Sequence, residues 1–503
     1  MTSNENILGG AGVPASRLVS SLAPPIDASC RVPLLALFGG AALWLVIGSV
    51  LAMIASIKFH APDFLADYPW LTYGRVQPAA DNMLLYGFCI PAALGVMLWI
   101  FARLSRTPLC LPFVVVVAAN LWHLGVLAGL TGILIGESTG FTWLEFPRGG
   151  SVLLLAAFLL IAISAMATFG QRRERELYPS HWFLLAALLW FPWIYATCNL
   201  FLVAWPVRGV AQAAIDFWFA NNLLFVWLGL AGLGASFYFL PKFAGRPLQS
   251  RYLALFAFWT LILFGTWNGI PSGAPLPAWM TALSAVAASL TIIPVLAVAA
   301  ITWKTLCSST HSEPGGGPFC FIRFGLASFV LSGLMLIAMA CPQISRVTEF
   351  TWFGTAQTQL QLYGFFAMTM FGAIYHLLPR VVGFEFPFPK LARVHFWTSM
   401  FGVLLFVIPL AIGGVVQGMK LHHGIAFPNA TRAMLPFLRV STTGLLFLLL
   451  GNLLFALNIF AMTLKWKFAL LKRAIAVVKA PLETEGETGS AFASPRRDKE
   501  VKA

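Results

Sequence analysis

The chain has 503 residues, 59% of them apolar and only 10% charged, with a formal net charge of +14. Soluble domains carry about 25% charged residues, so this chain cannot cover itself with polar surface, and a soluble globular enzyme is excluded. The lack of a glycine period and the few cysteines and charges exclude collagen-like, disulfide-scaffold and disordered classes. A polytopic α-helical membrane protein remains.

Twelve apolar runs follow one another, with cores at 33–57, 82–104, 110–136, 150–170, 181–205, 213–240, 252–268, 278–303, 320–342, 356–379, 394–417 and 436–464. A spanning helix needs about 20 apolar residues. The runs are long and do not alternate, which favours helices over barrel strands. No small-residue cleavage site follows the first run, so it is read as retained. The spans place a mobile N-terminal tail at 1–32, a twelve-helix membrane domain at 33–466 and a C-terminal tail at 467–503. The Ser-Glu-Pro-Gly-Gly-Gly run at 312–317 reads as a flexible loop.

Basic residues gather in alternate loops: Arg103 and Arg106, then Arg172, Arg173 and Arg175, then Lys242, Arg246 and Arg251. Lys304 and Arg323, then Arg380, Lys390 and Arg393, and finally Lys465, Lys467, Lys472 and Arg473 continue the pattern. The positive-inside rule then puts both termini in the cytoplasm. The basic balance reports topology, and no nucleic-acid partner is expected.

The seven cysteines are scattered and form no Cys-x-x-Cys pair, so they read as small apolar fillers. The 18 Trp and 44 Phe read as interfacial belts and helix packing. Ionisable groups inside spans are costly and draw attention. Here they are Asp216, His123, His376 and His395. His123 is expected as a hydrogen-bonded core histidine, His376 as partly wet, and His395 as a cap or headgroup contact. Asp216 is expected as a first-turn charge favoured by the helix dipole. His422 and His423 form a solvated pair in an outward loop.

A series of short motifs runs from about residue 71 to 466. It includes Leu-Thr-Tyr-Gly-Arg at 71–75, Trp-Leu-Glu-Phe-Pro at 143–147 and Leu-Tyr-Pro-Ser-His-Trp-Phe at 177–183. Tyr-Phe-Leu-Pro-Lys at 238–242, Phe258-Trp259, Trp267 and Gly-Ala-Ile-Tyr-His-Leu-Leu-Pro-Arg at 372–380 follow. His395-Phe396-Trp397 and Val-Val-Gln-Gly at 415–418 complete the series. In order and at this spacing the chain resembles subunit I of the haem–copper oxidases, most closely the C-family (cbb-type) cytochrome c oxidases. The resemblance implies a twelve-helix bundle with three arc-shaped pores. It also implies six histidine ligands: two for a low-spin haem, one for a high-spin haem and three for copper.

None of the six is present. The resemblance places the haem ligands at Ala80, within Arg75-Val76-Gln77-Pro78-Ala79-Ala80, and at Gln357 and Gln359, a pair two residues apart that would reach the two haems on opposite helix faces. It places the copper ligands at Asn221, Pro271 and Ser272. The redox tyrosine of the family falls at Gly265. Imidazole suits iron and copper as a nitrogen donor; Ala and Pro side chains offer no donor at all, and Asn, Ser and Gln bind these metals poorly. The expected function is therefore a non-catalytic, subunit I-like membrane protein of a respiratory context. Its partners would be the lipid bilayer, other oxidase subunits or a cytochrome c, and no cofactor is expected. If the family's activity holds, the cofactors are haem b and copper and the chain is a terminal oxidase or nitric oxide reductase subunit. A third reading has the emptied haem cavity carry a small or lipidic ligand. The expected location is the bacterial inner membrane.

Overall fold

The computed structural model describes residues 15–307 and 317–487, and no strand occurs among them. The first helix, α1, runs Ala15–Lys58. It is followed by α2 (Tyr73–Ser105), α3 (Pro112–Ile135), α4 (Arg148–Gly170), α5 (Pro179–Ala204) and α6 (Val210–Ala244). Then come α7 (Arg251–Gly265), α8 (Ala278–Cys307), α9 (Gly317–Ala340), α10 (Trp352–Val382), α11 (Pro389–His422) and α12 (Phe427–Glu487). Among the described residues, 11 helices are long and apolar enough to cross a membrane. The 15-residue α7 is the short one. At 1.5 Å per residue it reaches about 22 Å, less than the roughly 30 Å of hydrocarbon.

Sequence sets the helix ends. Pro112, Pro179 and Pro389 open α3, α5 and α11, at positions whose missing N–H would have had no partner anyway. Ser250 caps α7 by accepting the Leu253 N–H at 3.1 Å. Gly245 and Gly383 end α6 and α10 with φ of +67° and +81°, where a Cβ would be strained.

Three helices form the centre. In the apolar windows of α2, α6 and α10, 94%, 94% and 83% of residues are buried, against 39–56% in the other spans. The outer helices turn one face to lipid, whereas these three are enclosed on all sides. Side-chain ties define the two ends of the bundle. At one end, Tyr178 Oη donates to the Phe237 carbonyl at 3.0 Å and Arg31 Nε to the Val381 carbonyl at 2.7 Å. At the other, Arg75 donates to the Leu134 carbonyl at 3.0 Å and Arg148 to the Val203 carbonyl at 2.7 Å. Arg103, Lys242 and Arg380 all lie toward the first end, as the alternating charge pattern requires.

Several expectations need correction. Residues 15–32 are helical although the sequence reading gave them to a tail, and Asp27 and Ser29 are held by neighbouring parts of the bundle. Asp27 accepts from Trp99 Nε1 at 2.9 Å and from Arg103 at 2.8 Å, and Ser29 Oγ accepts the Leu109 N–H at 2.9 Å. At the other terminus α12 continues to Glu487, well past residue 466. The remaining tail residues 1–14 and 488–503, and the run at 312–317 apart from Gly317, lie outside the described residues. Cys30, Cys89 and Cys198 are buried fillers, but Cys307 and Cys341 are exposed.

Candidate functional site

Four of the six positions assigned by the resemblance sit on the buried helices, and the other two, Pro271 and Ser272, lie in the loop after α7. Ala80 is on α2, Asn221 on α6, and Gln357 and Gln359 on α10. Each of these helices widens into a π-helical stretch directly afterwards: Met83–Cys89, Asn222–Trp227 and Leu360–Ala367. A fourth, Asn199–Ala204, lies in α5. Such bulges are rare and concentrate at functional sites. No residue pattern announces them, and the sequence reading did not find them.

Ala80 and Gln359 line one cavity of about 80 Å³ together with Gly48, Ser49, Asp81 and Asn452. A water needs about 10–15 Å³ on this measure, so the cavity has room for a handful of waters or one small molecule. Gln359 Nε2 donates to Asp81 Oδ1 at 3.2 Å, and Gln77 Nε2 donates to Asp81 Oδ2 at 2.8 Å. Opposite them, Tyr363 Oη donates to Asn452 Oδ1 at 2.6 Å and Asn452 Nδ2 to Ser49 Oγ at 2.7 Å. Asp81 precedes the apolar core of its span by one residue, and for that reason the sequence reading passed over it. Its neighbour Asn82 donates to Glu145 Oε2 at 2.8 Å. Glu145 belongs to the connection between α3 and α4, and burial pushes its carboxyl up to about 7 against the pull of that hydrogen bond.

Asn221 and Gln357 line a second cavity of about 210 Å³ with Trp143, Gly269 and Gln361. Asn221 Nδ2 donates to the Gly265 carbonyl at 2.8 Å, and Asn222 Nδ2 to the Thr266 carbonyl at 3.3 Å. The two amides thus take the last carbonyl of α7 and that of Thr266, its capping residue, which fixes the helix end short of the expected residue 268. Gly269, at φ +98°, lets the chain turn against Asn221; a Cβ there would lie 2.2 Å from the Asn221 Cβ. Gln357 Nε2 turns to α9 and donates to Ser332 Oγ at 3.0 Å.

Pro271 and Ser272 line neither cavity. Their loop is gripped by Glu349. The Ser272 N–H donates to Oε1 at 2.7 Å, while Ser272 Oγ and the Gly273 N–H both donate to Oε2 at 3.0 Å.

The histidines singled out in the sequence stand at none of the six assigned positions. His123 behaves as the expected core histidine: Trp44 Nε1 donates to Nδ1 at 3.2 Å, and Nε2 faces the Ala36 carbonyl at 3.2 Å. His395 is neither a cap nor a headgroup contact. It is fully buried among Phe321, Phe371 and Phe455, with Nδ1 3.1 Å from Tyr375 Oη. The aromatic side chains of neighbouring helices enclose it, which its position near a span start does not reveal. His376 is half-buried and packs edge-on against Phe243. His422 and His423 are exposed at the end of α11. Asp216 lies two turns into α6, past the first turn expected for it, because the helix begins at Val210.

Haem and copper fit poorly at these positions. Ala80 offers no donor atom, the amide and hydroxyl oxygens of Gln357, Gln359, Asn221 and Ser272 are weak ligands for these metals, and each of these side chains is already hydrogen-bonded within the protein. Among the described residues no three His, Cys, Asp or Glu side chains gather closely enough to hold a metal ion.

A helix bundle built around three buried spans with these landmarks is the fold of haem–copper oxidase subunit I. The profile of the family "Cytochrome C and Quinol oxidase polypeptide I" matches residues 32–447, and the chain belongs to that family. The Cbb3-type cytochrome c oxidase subunit CcoN1 of Stutzerimonas stutzeri is 24% identical over 427 residues, covering 82% of this chain and 89% of that one. Cytochrome c oxidase subunit 1 of Rhodobacter capsulatus is 24% identical over 462 residues, covering 84% and 83%. A solved heme-copper terminal oxidase dimer shares the fold with a TM-score of 0.68 at 17% identity, over 88% of this chain and 84% of that one.

Proposed function

We propose that the protein is a non-catalytic relative of oxidase subunit I. It keeps the bundle and serves a respiratory membrane as a structural, assembly or regulatory partner of other oxidase subunits. One observation carries this reading: none of the six assigned positions bears an imidazole, and each polar side chain present there is bound to another part of the protein. A b-type haem has no covalent tether, so without axial ligands it would rest on apolar packing alone. The bacterial relatives and the distribution of Lys and Arg support a place in a bacterial inner membrane, with both termini toward the cytoplasm. The test is a pyridine haemochrome spectrum of the purified protein, together with oxygen uptake from reduced cytochrome c. Background haem and no uptake are expected; stoichiometric haem b would overturn the reading. Isolation of the intact membrane complex identifies the partner.

The largely apolar cavity beside Ala80 and Gln359, with Asp81, Gln359 and Asn452 as its polar groups, favours a second reading, a carrier of one small molecule. Native mass spectrometry of the protein extracted in mild detergent tests it. A single low-mass adduct lost in the Gln359→Leu variant supports it, and a bare chain counts against it.

A further inference from the structure

We propose that the end of the bundle where α2, α5, α6 and α10 meet is a binding site for a phosphate-type anion, held mainly by Lys242 and Arg380. A cavity of about 570 Å³ opens there. It lies about 35 Å along α2 from Ala80, since 23 helical residues separate Ala80 from Arg103 at 1.5 Å each. The site therefore stands apart from the assigned ligand positions and does not depend on the function proposed above.

Five cations line this cavity: Arg103, Arg106, Lys242, Arg251 and Arg380. Three carboxylates face it or its cations, and each is already paired. Asp27 binds Arg103 at 2.8 Å, Glu174 binds Arg106 at 3.1 Å and Glu176 binds Arg251 at 3.3 Å. Among the described residues Lys242 and Arg380 have no carboxylate partner, so two positive charges are left over. Lys242 is close enough to Arg380 and to Arg103 to be repelled by both. Lys242 Nζ instead contacts Tyr238 Oη and lies 3.6 Å from the centroid of the Tyr238 ring. A ring face is a weak counterion, so the local charge is only partly met.

A second observation points to a ligand. His181 lines the same cavity, is 2% exposed, and both of its ring nitrogens lack a hydrogen-bond partner. A buried polar group without a partner is costly, and a neutral imidazole has an N–H to give to an anion oxygen. Arg380 brings a planar fork matched to phosphate oxygens, and Lys242 brings a point charge. Leu104, Leu177 and Leu248 line the walls. The phosphate has two candidate sources, free phosphate from solution or the headgroup of an anionic lipid, whose chains would lie on those leucines.

The experiment uses the full-length protein, delipidated in mild detergent. One arm titrates inorganic phosphate and follows thermal stability; the other adds phosphatidylglycerol, with phosphatidylcholine as reference, and counts bound lipid by native mass spectrometry. One anion per chain is expected, weakening as salt is raised. Binding in the phosphate arm identifies a free anion, and binding in the lipid arm alone identifies a headgroup; either supports the site. Lys242→Gln with Arg380→Gln is expected to weaken binding at least tenfold, and Lys467→Gln, an exposed cation on α12, to leave it within twofold. If the pair does not fold, Arg380→Gln alone reads the same loss at an exposed side chain. Without anion, Lys242→Gln is expected to melt no lower than the parent, since it relieves repulsion. No binding in both arms, binding unchanged by the pocket variants, or an equal loss in Lys467→Gln overturns the proposal.

Discussion

The side-chain amide of Asn221 donates to the carbonyl oxygen of Gly265 across 2.8 Å. These two residues occupy the positions that the resemblance assigns to a copper ligand and to the redox tyrosine. Here they form a helix cap. An amide in place of the imidazole, and a glycine in place of the phenol, let α6 approach the end of α7 and take its orphan carbonyl.

Asn221→Ala removes that donor and leaves a buried carbonyl without a partner. Such losses cost about 1–3 kcal/mol. The midpoint of unfolding in mild detergent is expected to fall accordingly, and amide exchange in the last turn of α7 to rise. An unchanged midpoint would mean that the cap contributes nothing.

The bond between Asp27 and Arg103 lies outside the first apolar run, in a stretch that hydropathy assigns to solvent. Both side chains are largely shielded, at 12% and 20% exposure, and Trp99 adds a further donor to the carboxylate. Asp27→Asn leaves the guanidinium without its counterion, at a cost of roughly 2–4 kcal/mol for a mostly buried pair. Lower thermal stability and release of the start of α1 to proteolysis are the expected readouts.

Much of the fold was legible in the sequence for one reason: lipid demands long apolar runs, and Lys and Arg mark alternate loops. Polar groups near span ends were not legible. Asp27, Asp81 and Glu145 each lie just outside an apolar core, and only the folded chain shows Trp99, Gln359 and Asn82 turned toward them. The motifs name each candidate position by residue, but not what its side chain touches, because the cap at Gly265 and the grip of Glu349 on Ser272 join segments 44 and 77 residues apart.

Glu145 sets a pH dependence. Burial pushes its folded carboxyl up to about 7 from an ordinary value of 4.5. The folded state thus binds the proton more tightly than the unfolded state. Stability from this group is greatest below pH 4.5 and is lost as pH rises toward 7. At about 1.4 kcal/mol per pH unit, the loss approaches roughly 3 kcal/mol. Glu145→Gln abolishes this slope while keeping an acceptor for Asn82. Relative to the parent, the variant is expected to gain stability between pH 5 and pH 8; parallel curves would contradict the assignment.

His395 separates a packing role from a ligand role. Its Nδ1 meets Tyr375 Oη at 3.1 Å while Nε2 is buried without a partner. Tyr375→Phe alone leaves a second imidazole nitrogen unmatched, at about 1–3 kcal/mol. Replacing both partners with Phe removes the mismatch and is expected to restore most of that loss. Haem content, measured by pyridine haemochrome, is expected to stay at background in the single and double variants alike. Pigment in the parent that vanishes with His395 would make it an axial ligand.

Glu349 grips the loop that carries two of the assigned positions, Pro271 and Ser272. One carboxylate accepts from the Ser272 N–H, the Ser272 hydroxyl and the Gly273 N–H, at 2.7, 3.0 and 3.0 Å. An amide has only one acceptor atom, so Glu349→Gln must give up bonds on one side of the clamp and also loses their charge assistance. Hydrogen bonds to a charged group contribute about 1.5–3 kcal/mol each. The loop at 271–273 is expected to loosen while the bundle stays folded, because the clamp lies outside the spans. Exchange at the Ser272 and Gly273 amides should quicken by ten- to a hundredfold, with exchange in the buried turns of α2 and α10 unchanged. If those turns quicken equally, the clamp supports the whole bundle and the loop is not a separate unit.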